Sequence, residues 1–496
     1  MGLELEFLVF YNTHDQPTVV KDNERYGPII KAPRDIAPPL DFDPKENRAV
    51  ELEAAWVREK VAEVIMSAGF KAVASCSAKG TKYNTSLLNV WNVVPDGSVK
   101  LPLDFEQAYS PLKSTGVEIN SPVFTAGKDA FKEISTVIQT INAAFRTAVP
   151  PVCGLHVHVG RDRMPLKLRP VQRTAGMLWM AEDLINVLHA GCRLGNEHCL
   201  SMRDYSHLRC GMGAKAATRH PARLGKPQHV AFTTERVKRL VKKPTTYTYT
   251  RPTGITASNE STLSRLVAAF YNIGRTLNPE KGLPETLDLQ HGLQSILRVT
   301  DTRAVAELVS FQGWRGAYNF SNMDYIGEQQ WAKWGTPGAG SVKSRKPTIE
   351  FRQGAGSLDA DWVVVWAKIC LALCGPAVVE SSDDEYFQLL HNCAESGKNP
   401  DVYSVFDLLH DIGLSKDDID VVHHRLQSGR HEREPALAFH RPDGDSGGLL
   451  DRGYEVGWHL HYWRDYGYSQ YMDDGWGAAE AWAAAEQQQM EAPVAA

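Results

Sequence analysis

Four stretches of this chain set ionisable side chains on one side of an apolar strip. Glu4 and Glu6 stand two apart among Leu3, Leu5 and Phe7. Successive side chains of a strand point to opposite faces, so both carboxylates line one side. His156 and His158 repeat the pattern against Leu155, Val157 and Val159, and Glu350 and Arg352 repeat it beside Thr348 against Ile349 and Phe351. Glu118 shares a side with Asn120, opposite Val117 and Ile119. Each pair has a plainer reading by itself. A strand with one solvated face gives Glu-x-Glu, a buried histidine is often only a hydrogen-bonded one, and Glu-x-Arg is a same-face salt bridge worth little. Together they describe a sheet with one side packed on helices and the other forming a charged funnel. Four acids brought close would repel one another unless divalent cations neutralised them, and carboxylates with an imidazole suit Mg²⁺ or Mn²⁺. Arg352 is then free to hold a phosphate or carboxylate in a bidentate fork. Cation, acids and arginine together point to phosphoryl transfer from a nucleotide. The chain has neither a Walker A motif nor a Rossmann fingerprint, so phosphate is held by other means.

The elements that must position these groups follow from periodicity. Strands are expected at 4–11, 71–75, 88–94, 116–124, 154–160, 316–326 and 347–353, and a turn at Pro95, Asp96, Gly97 and Ser98 predicts a hairpin into 99–101. Apolar spacing predicts helices over 46–68, ended by Gly69, and over 127–148, 171–190, 260–277, 284–297, 361–379, 384–395, 401–410 and 416–426. Between Ala214 and Pro252 ten Lys or Arg meet one acid, Glu235, among Pro, Gly and Thr, which reads as a basic insertion. The end from about Arg430 mixes Gly, Asp, Trp and Tyr before an Ala and Gln-rich tail, and is expected to be peripheral and partly disordered. The expected class is α+β: a sheet with helices packed on one side and a charged funnel on the other. A catalytic domain would span 1–400, with a helical segment and tail over 401–496.

Composition narrows the function classes. The 496 residues are 43% hydrophobic and 23% charged, as in soluble globular proteins. A balance of 54 basic against 59 acidic residues gives net charge −5, so no global field draws the chain to nucleic acid or an anionic membrane. Eight scattered cysteines without a CxxC pair suggest reduced thiols rather than a disulfide scaffold or zinc ribbon. Glu4 and Glu6 occupy the place where a secretion signal needs a basic flank and apolar run. The most apolar window, 362–379, contains Lys368 and reads as a buried helix. A cytoplasmic location is expected, and oligomerisation is left open.

Taken in order, residues 2–7, the Trp91 to Ser98 stretch with its Asp-Gly-Ser turn, 116–122, 153–160 and 348–352 resemble the amidoligases of the glutamine synthetase and glutamate-cysteine ligase superfamily. The resemblance covers about residues 2–375. It implies a curved, mostly antiparallel sheet with helices on its convex face and a glutamine synthetase-like funnel, and an ATP-dependent carboxylate–amine ligase that forms an amide through an acyl phosphate, on a glutamyl- or aspartyl-type carboxylate of a small molecule or peptide. The implied metal ligands for Mg²⁺ or Mn²⁺ are Glu4, Glu6, Glu118, His156 and Glu350, with Arg352, Glu350 and Glu6 carrying catalysis. His158, Arg352 and Arg203 would contact the nucleotide, and Asp96, Asn319 and Asn322 the substrate. Gly354 to Leu358 depart from the Gly-Thr-like turn common after the last strand, and nothing resembles a glutamine-hydrolysing cysteine domain. The amine would then be ammonia or a primary amine. A metal-dependent hydrolase and a binding protein on the same scaffold are the alternatives.

Overall fold

A computed structural model describes residues 1–13, 27–36, 49–75, 88–100, 112–150, 152–161, 166–190, 193, 199–206, 208, 289–300, 302–310, 316–323, 347–398 and 402–433. The basic stretch at 214–252, the expected helix at 260–277 and the tail from 434 lie outside them.

Among the described residues nine strands form one open sheet: β1 (Gly2–Thr13), β2 (Ile30–Ala32), β3 (Ala72–Ala74), β4 (Trp91–Pro95), β5 (Lys113–Asn120), β6 (Thr147–Ala148), β7 (Gly154–Gly160), β8 (Tyr318–Asn319) and β9 (Thr348–Ala355). Their order is β3-β4-β5-β1-β7-β9-β8, with β2 and β6 also paired to β1. The long β1 runs through the middle, antiparallel to β5 and β7. Parallel pairing among these strands is confined to β1 with β2 and β3 with β4.

The helices are α1 (Ala49–Ser67), α2 (Lys128–Ala144), α3 (Leu168–Asn186), α4 (Met202–Tyr205), α5 (Leu289–Leu297), α6 (Thr302–Val309), α7 (Ala360–Leu373), α8 (Pro376–Val379), α9 (Asp383–Lys398), α10 (Val405–Asp411), α11 (Lys416–Gln427) and α12 (Arg430–Arg433). Helix α1 buries Val57, Val61 and Ile65, and the chain leaves it through Gly69 at φ 94°, a left-handed conformation that favours glycine. Helix α7 is apolar nearly all round, burying Trp362, Val363, Trp366, Ile369 and Cys370, and it packs on β7 and α2. The apolar face of the sheet, with Leu3, Leu5, Phe7, Val117, Ile119, Leu155, Val157, Ile349 and Phe351 all buried, forms the core with these helices. Burial of each large side chain there contributes roughly 1.5–3 kcal/mol.

Three local expectations are corrected. Residues 99–100 form no strand, and β4 pairs instead with β5 across a longer connection. The strand expected at 316–326 stops at Asn319, whose Oδ1 accepts the Ser321 N–H and turns the chain into a 3₁₀ turn at Ser321–Met323. The helix expected over 361–379 is two helices, because Pro376 begins α8 and cannot continue α7. Helix α6 is additional to those the spacing predicts.

Candidate active site

Register collects the ionisable residues. On β1, Glu4 lies opposite Asn120 of β5 and His156 of β7, while Glu6 lies opposite Glu118. His158 lies opposite Glu350 of β9, which in turn lies opposite Asn319 of β8. Directly opposed residues have Cβ atoms about 4.5–5.5 Å apart, so side chains separated by hundreds of positions meet on one face. Asp96 arrives from the turn after β4, pinned by its Oδ1 accepting both the N–H and the hydroxyl of Ser98, each at 2.7 Å. Gly116 lets that turn close over β5. A Cβ at Gly116 would stand 2.3 Å from the carbonyl oxygen of Val99 and 2.9 Å from that of Asp96.

The expected ligands fall into two groups. Donor atoms of Glu4, His156 and Glu350 lie within 4.8 Å of one another, and so do those of Glu6, Asp96 and Glu118. In the first group His156 Nδ1 is 3.0 Å from Glu4 Oε2, and His158 Nε2 is 3.0 Å from Glu4 Oε1. Asn319 Nδ2 donates to Glu350 Oε2 at 2.7 Å, and the Arg352 guanidinium donates to Glu350 Oε1. Asn322 reaches the group through Thr348, whose hydroxyl is 3.2 Å from His158 Nδ1. In the second group the Gly154 N–H donates to Glu6 Oε2 at 2.6 Å and Asn120 Nδ2 donates to Glu118 Oε1 at 2.8 Å.

Electrostatics separates the two groups. Burial is the largest single influence on Glu4 and Glu350 and would raise both, but the combined pull of His158 and His156, joined for Glu350 by Arg352, outweighs it, and both carboxyls are held below the usual range. Glu118 is pushed well above that range, first by burial and then by repulsion from Glu4, Glu6 and Asp96. Glu6 is raised by burial despite His156. Burial disfavours the charge on Arg352 too, yet Glu350 and Glu4 hold its pKa above the ordinary value.

This chemistry fits divalent cations. Glu6, Asp96 and Glu118 are an all-oxygen set whose mutual repulsion a Mg²⁺ or Mn²⁺ ion would relieve, and the other trio adds one imidazole to two carboxylates. Asp96, expected as a substrate contact, brings a carboxylate oxygen within 4.8 Å of those of Glu6 and Glu118 and so could complete an all-oxygen set with them. Asn319 and Asn322, expected likewise, stand at the cluster and hydrogen-bond Glu350 and Thr348. Arg203 is not brought to the cluster. Its guanidinium donates to the Trp179 and Met180 carbonyls and to Asp183 of α3, because the adjoining turn is anchored on the buried Glu182, which accepts the N–H groups of Met202 and Arg203. The Gly154 N–H is a contact that sequence reasoning missed; its one signal is a glycine two residues before a face-sharing histidine.

A family model described as "Putative amidoligase enzyme" matches residues 47–251. No curated protein and no solved structure matches the chain. The matched span contains Asp96, Glu118, His156 and His158, while Glu4 and Glu6 of β1 and Glu350 and Arg352 of β9 lie outside it and join through strand pairing.

Proposed function

We propose, taking residues 47–251 as an amidoligase segment, that the cluster is the active centre of an ATP-dependent carboxylate–amine ligase. The observation that carries this reading is the pairing of two carboxylate-rich trios with a buried arginine on one sheet face. Divalent cations held by Glu4, His156 and Glu350 and by Glu6, Asp96 and Glu118 would neutralise the phosphate oxygens of the nucleotide. A substrate carboxylate oxygen then attacks the γ-phosphorus, the bond to the β-phosphate bridging oxygen breaks, and ADP leaves. The amine nitrogen next attacks the carbonyl carbon of the acyl phosphate, loses a proton and expels phosphate, leaving an amide.

The chain's own groups divide this work. Arg352, already charged and buried beside Glu350, is set to donate to the phosphoryl oxygens as they pass between the two substrates. His158, tied to Glu4 and Thr348, fixes the orientation of the Glu4 carboxylate. Asn319 does the same for Glu350. A glutamyl- or aspartyl-type carboxylate and a cytoplasmic setting complete the proposal.

The test is ADP and phosphate release with Mg²⁺ and a panel of carboxylates and amines, run beside Glu6→Gln and Glu350→Gln. ADP formation that needs both substrates and drops by about 100-fold or more in either variant supports the ligase. Substrate consumption without ATP points to a hydrolase, and unaltered metal uptake in both variants removes the site altogether.

A further inference from the structure

Arg193 lies two per cent exposed in the segment after α3, and among the described residues it makes no ion pair. Removing a guanidinium from water is costly; the Glu6 carboxylate offsets part of that cost through its attraction to Arg193, and the donors themselves must still be taken up. Among the described residues its side-chain hydrogen bonds go to backbone. Its Nη2 donates to the carbonyl oxygen of Arg352 at 2.8 Å, its Nη1 stands 3.5 Å from that of Cys153, and its buried Nε has no hydrogen-bond partner among the described residues. The Arg193 carbonyl in turn accepts from the Cys199 thiol at 2.8 Å.

The carbonyl that Arg193 holds sits where the ladder is irregular. Leu155 pairs with Gly354 and Val157 with Phe351, so two steps along β7 answer three along β9, and His156 faces both Arg352 and Gln353. Such a bulge bends its strand and re-aims the side chain it carries. On the other side, Ala317 accepts the Arg352 N–H at 2.8 Å but turns its own N–H to Leu200 at 2.7 Å. Arg193 meets the Arg352 carbonyl at this irregularity, between the strands that bring His156 and Glu350 to the cluster.

We infer that Arg193 is a positioning residue: by holding the Arg352 carbonyl at the β9 bulge it sets where the Arg352 guanidinium stands relative to Glu350 and His156. This rests on the ligase reading for its kinetic consequence but not for its geometric one.

The test is a double-mutant cycle on the full chain with Arg193→Met, Arg352→Gln and the pair, read by ADP formation and by Mn²⁺ titration followed by electron paramagnetic resonance. Arg193→Met alone should slow ADP formation and weaken Mn²⁺ by roughly 10- to 100-fold, as loss of a supporting partner does. Added to Arg352→Gln it should change either quantity by less than about twofold, because the group it positions is already gone. Arg193→Lys, which keeps one charged donor, should recover part of the loss. Independent, multiplying losses, or a lower melting temperature with both quantities intact, would overturn the inference. If the wild type cleaves no ATP, the ligase reading falls while the Mn²⁺ cycle still decides the role of Arg193. Should Arg193→Met not fold, the same cycle is run with Arg193→Gln.

Discussion

His156 is two per cent exposed, and each of its ring nitrogens is constrained by a different neighbour. Nδ1 faces Glu4, while Nε2 lies over Gly154, where a Cβ would stand only 2.4 Å away. Glycine therefore clears room for the imidazole while its own N–H orients Glu6, so one residue serves both trios. Gly154→Ala should leave that N–H bond in place, since an extended strand tolerates alanine, but must displace the ring. The expected result is a loss of roughly 10- to 100-fold in Mn²⁺ affinity with the circular dichroism spectrum unchanged, measured by calorimetric titration. Retained affinity would mean that the ring is free to move and that its placement is unimportant. Gly354→Ala makes a useful contrast, because there the new Cβ would meet the Leu155 carbonyl at 2.7 Å, and backbone cannot step aside as an imidazole can.

At the scale of elements, strands supply the chemistry and helix termini hold the strands in place. Asp359 caps α7 by accepting the Trp362 N–H, and its other oxygen receives Arg425 of α11 at 3.3 Å and Arg430 of α12 at 3.0 Å. One carboxylate thus joins the end of the β9 connection to the C-terminal helices. Asp359→Ala removes the cap, worth about 1 kcal/mol, and takes the anion from a buried pair, which costs about 3–5 kcal/mol in such settings. Asp359→Asn keeps an accepting oxygen for the cap and should lose less. Urea unfolding of the two variants should rank them in that order, and equal midpoints would show that the charge at this joint is inconsequential. The same scale explains what was legible in advance. Period-two alternation placed Glu4, Glu6, His156, His158, Glu350 and Arg352 on the right strands, because every alternate residue there is buried against helices. Alternation says nothing of which strands are neighbours, so the division into two trios and the meeting of Asp96 with Glu118 depended on register. Arg203 has the residue type of an anion contact, but the buried Glu182 that redirects its segment to α3 carries no signal along the chain. Bulges are equally silent, which is why Arg193 had no motif to announce it.

For the molecule as a whole, the two trios gather donors from β1, β5, β7, β9 and the turn after β4, so a bound ion would cross-link strands on both sides of the centre of the sheet. Ligands that bind the folded chain alone stabilise it by RT ln(1 + [L]/Kd), about 2.7 kcal/mol at a concentration one hundred times Kd. Mn²⁺ should therefore raise the temperature of the unfolding transition, and EDTA should reverse the shift. Two trios imply two equivalents bound, with Glu118→Gln and Glu350→Gln each leaving one. The two variants should differ without metal. Glu118 is disfavoured as an anion first by burial and then by its acidic neighbours, so its neutral replacement removes a repulsion and should raise the metal-free melting temperature, by about 2 °C for each kcal/mol relieved. Glu350 is instead favoured as an anion, with Arg352 and Asn319 both donating to it, so Glu350→Gln should lower that temperature. Calorimetry of both variants with EDTA, followed by Mn²⁺ titration, reads stability and stoichiometry in one series. A single equivalent in the wild type, or the same sign of shift in both variants, would show that the acids form one undivided cluster and that the trios are not separate centres.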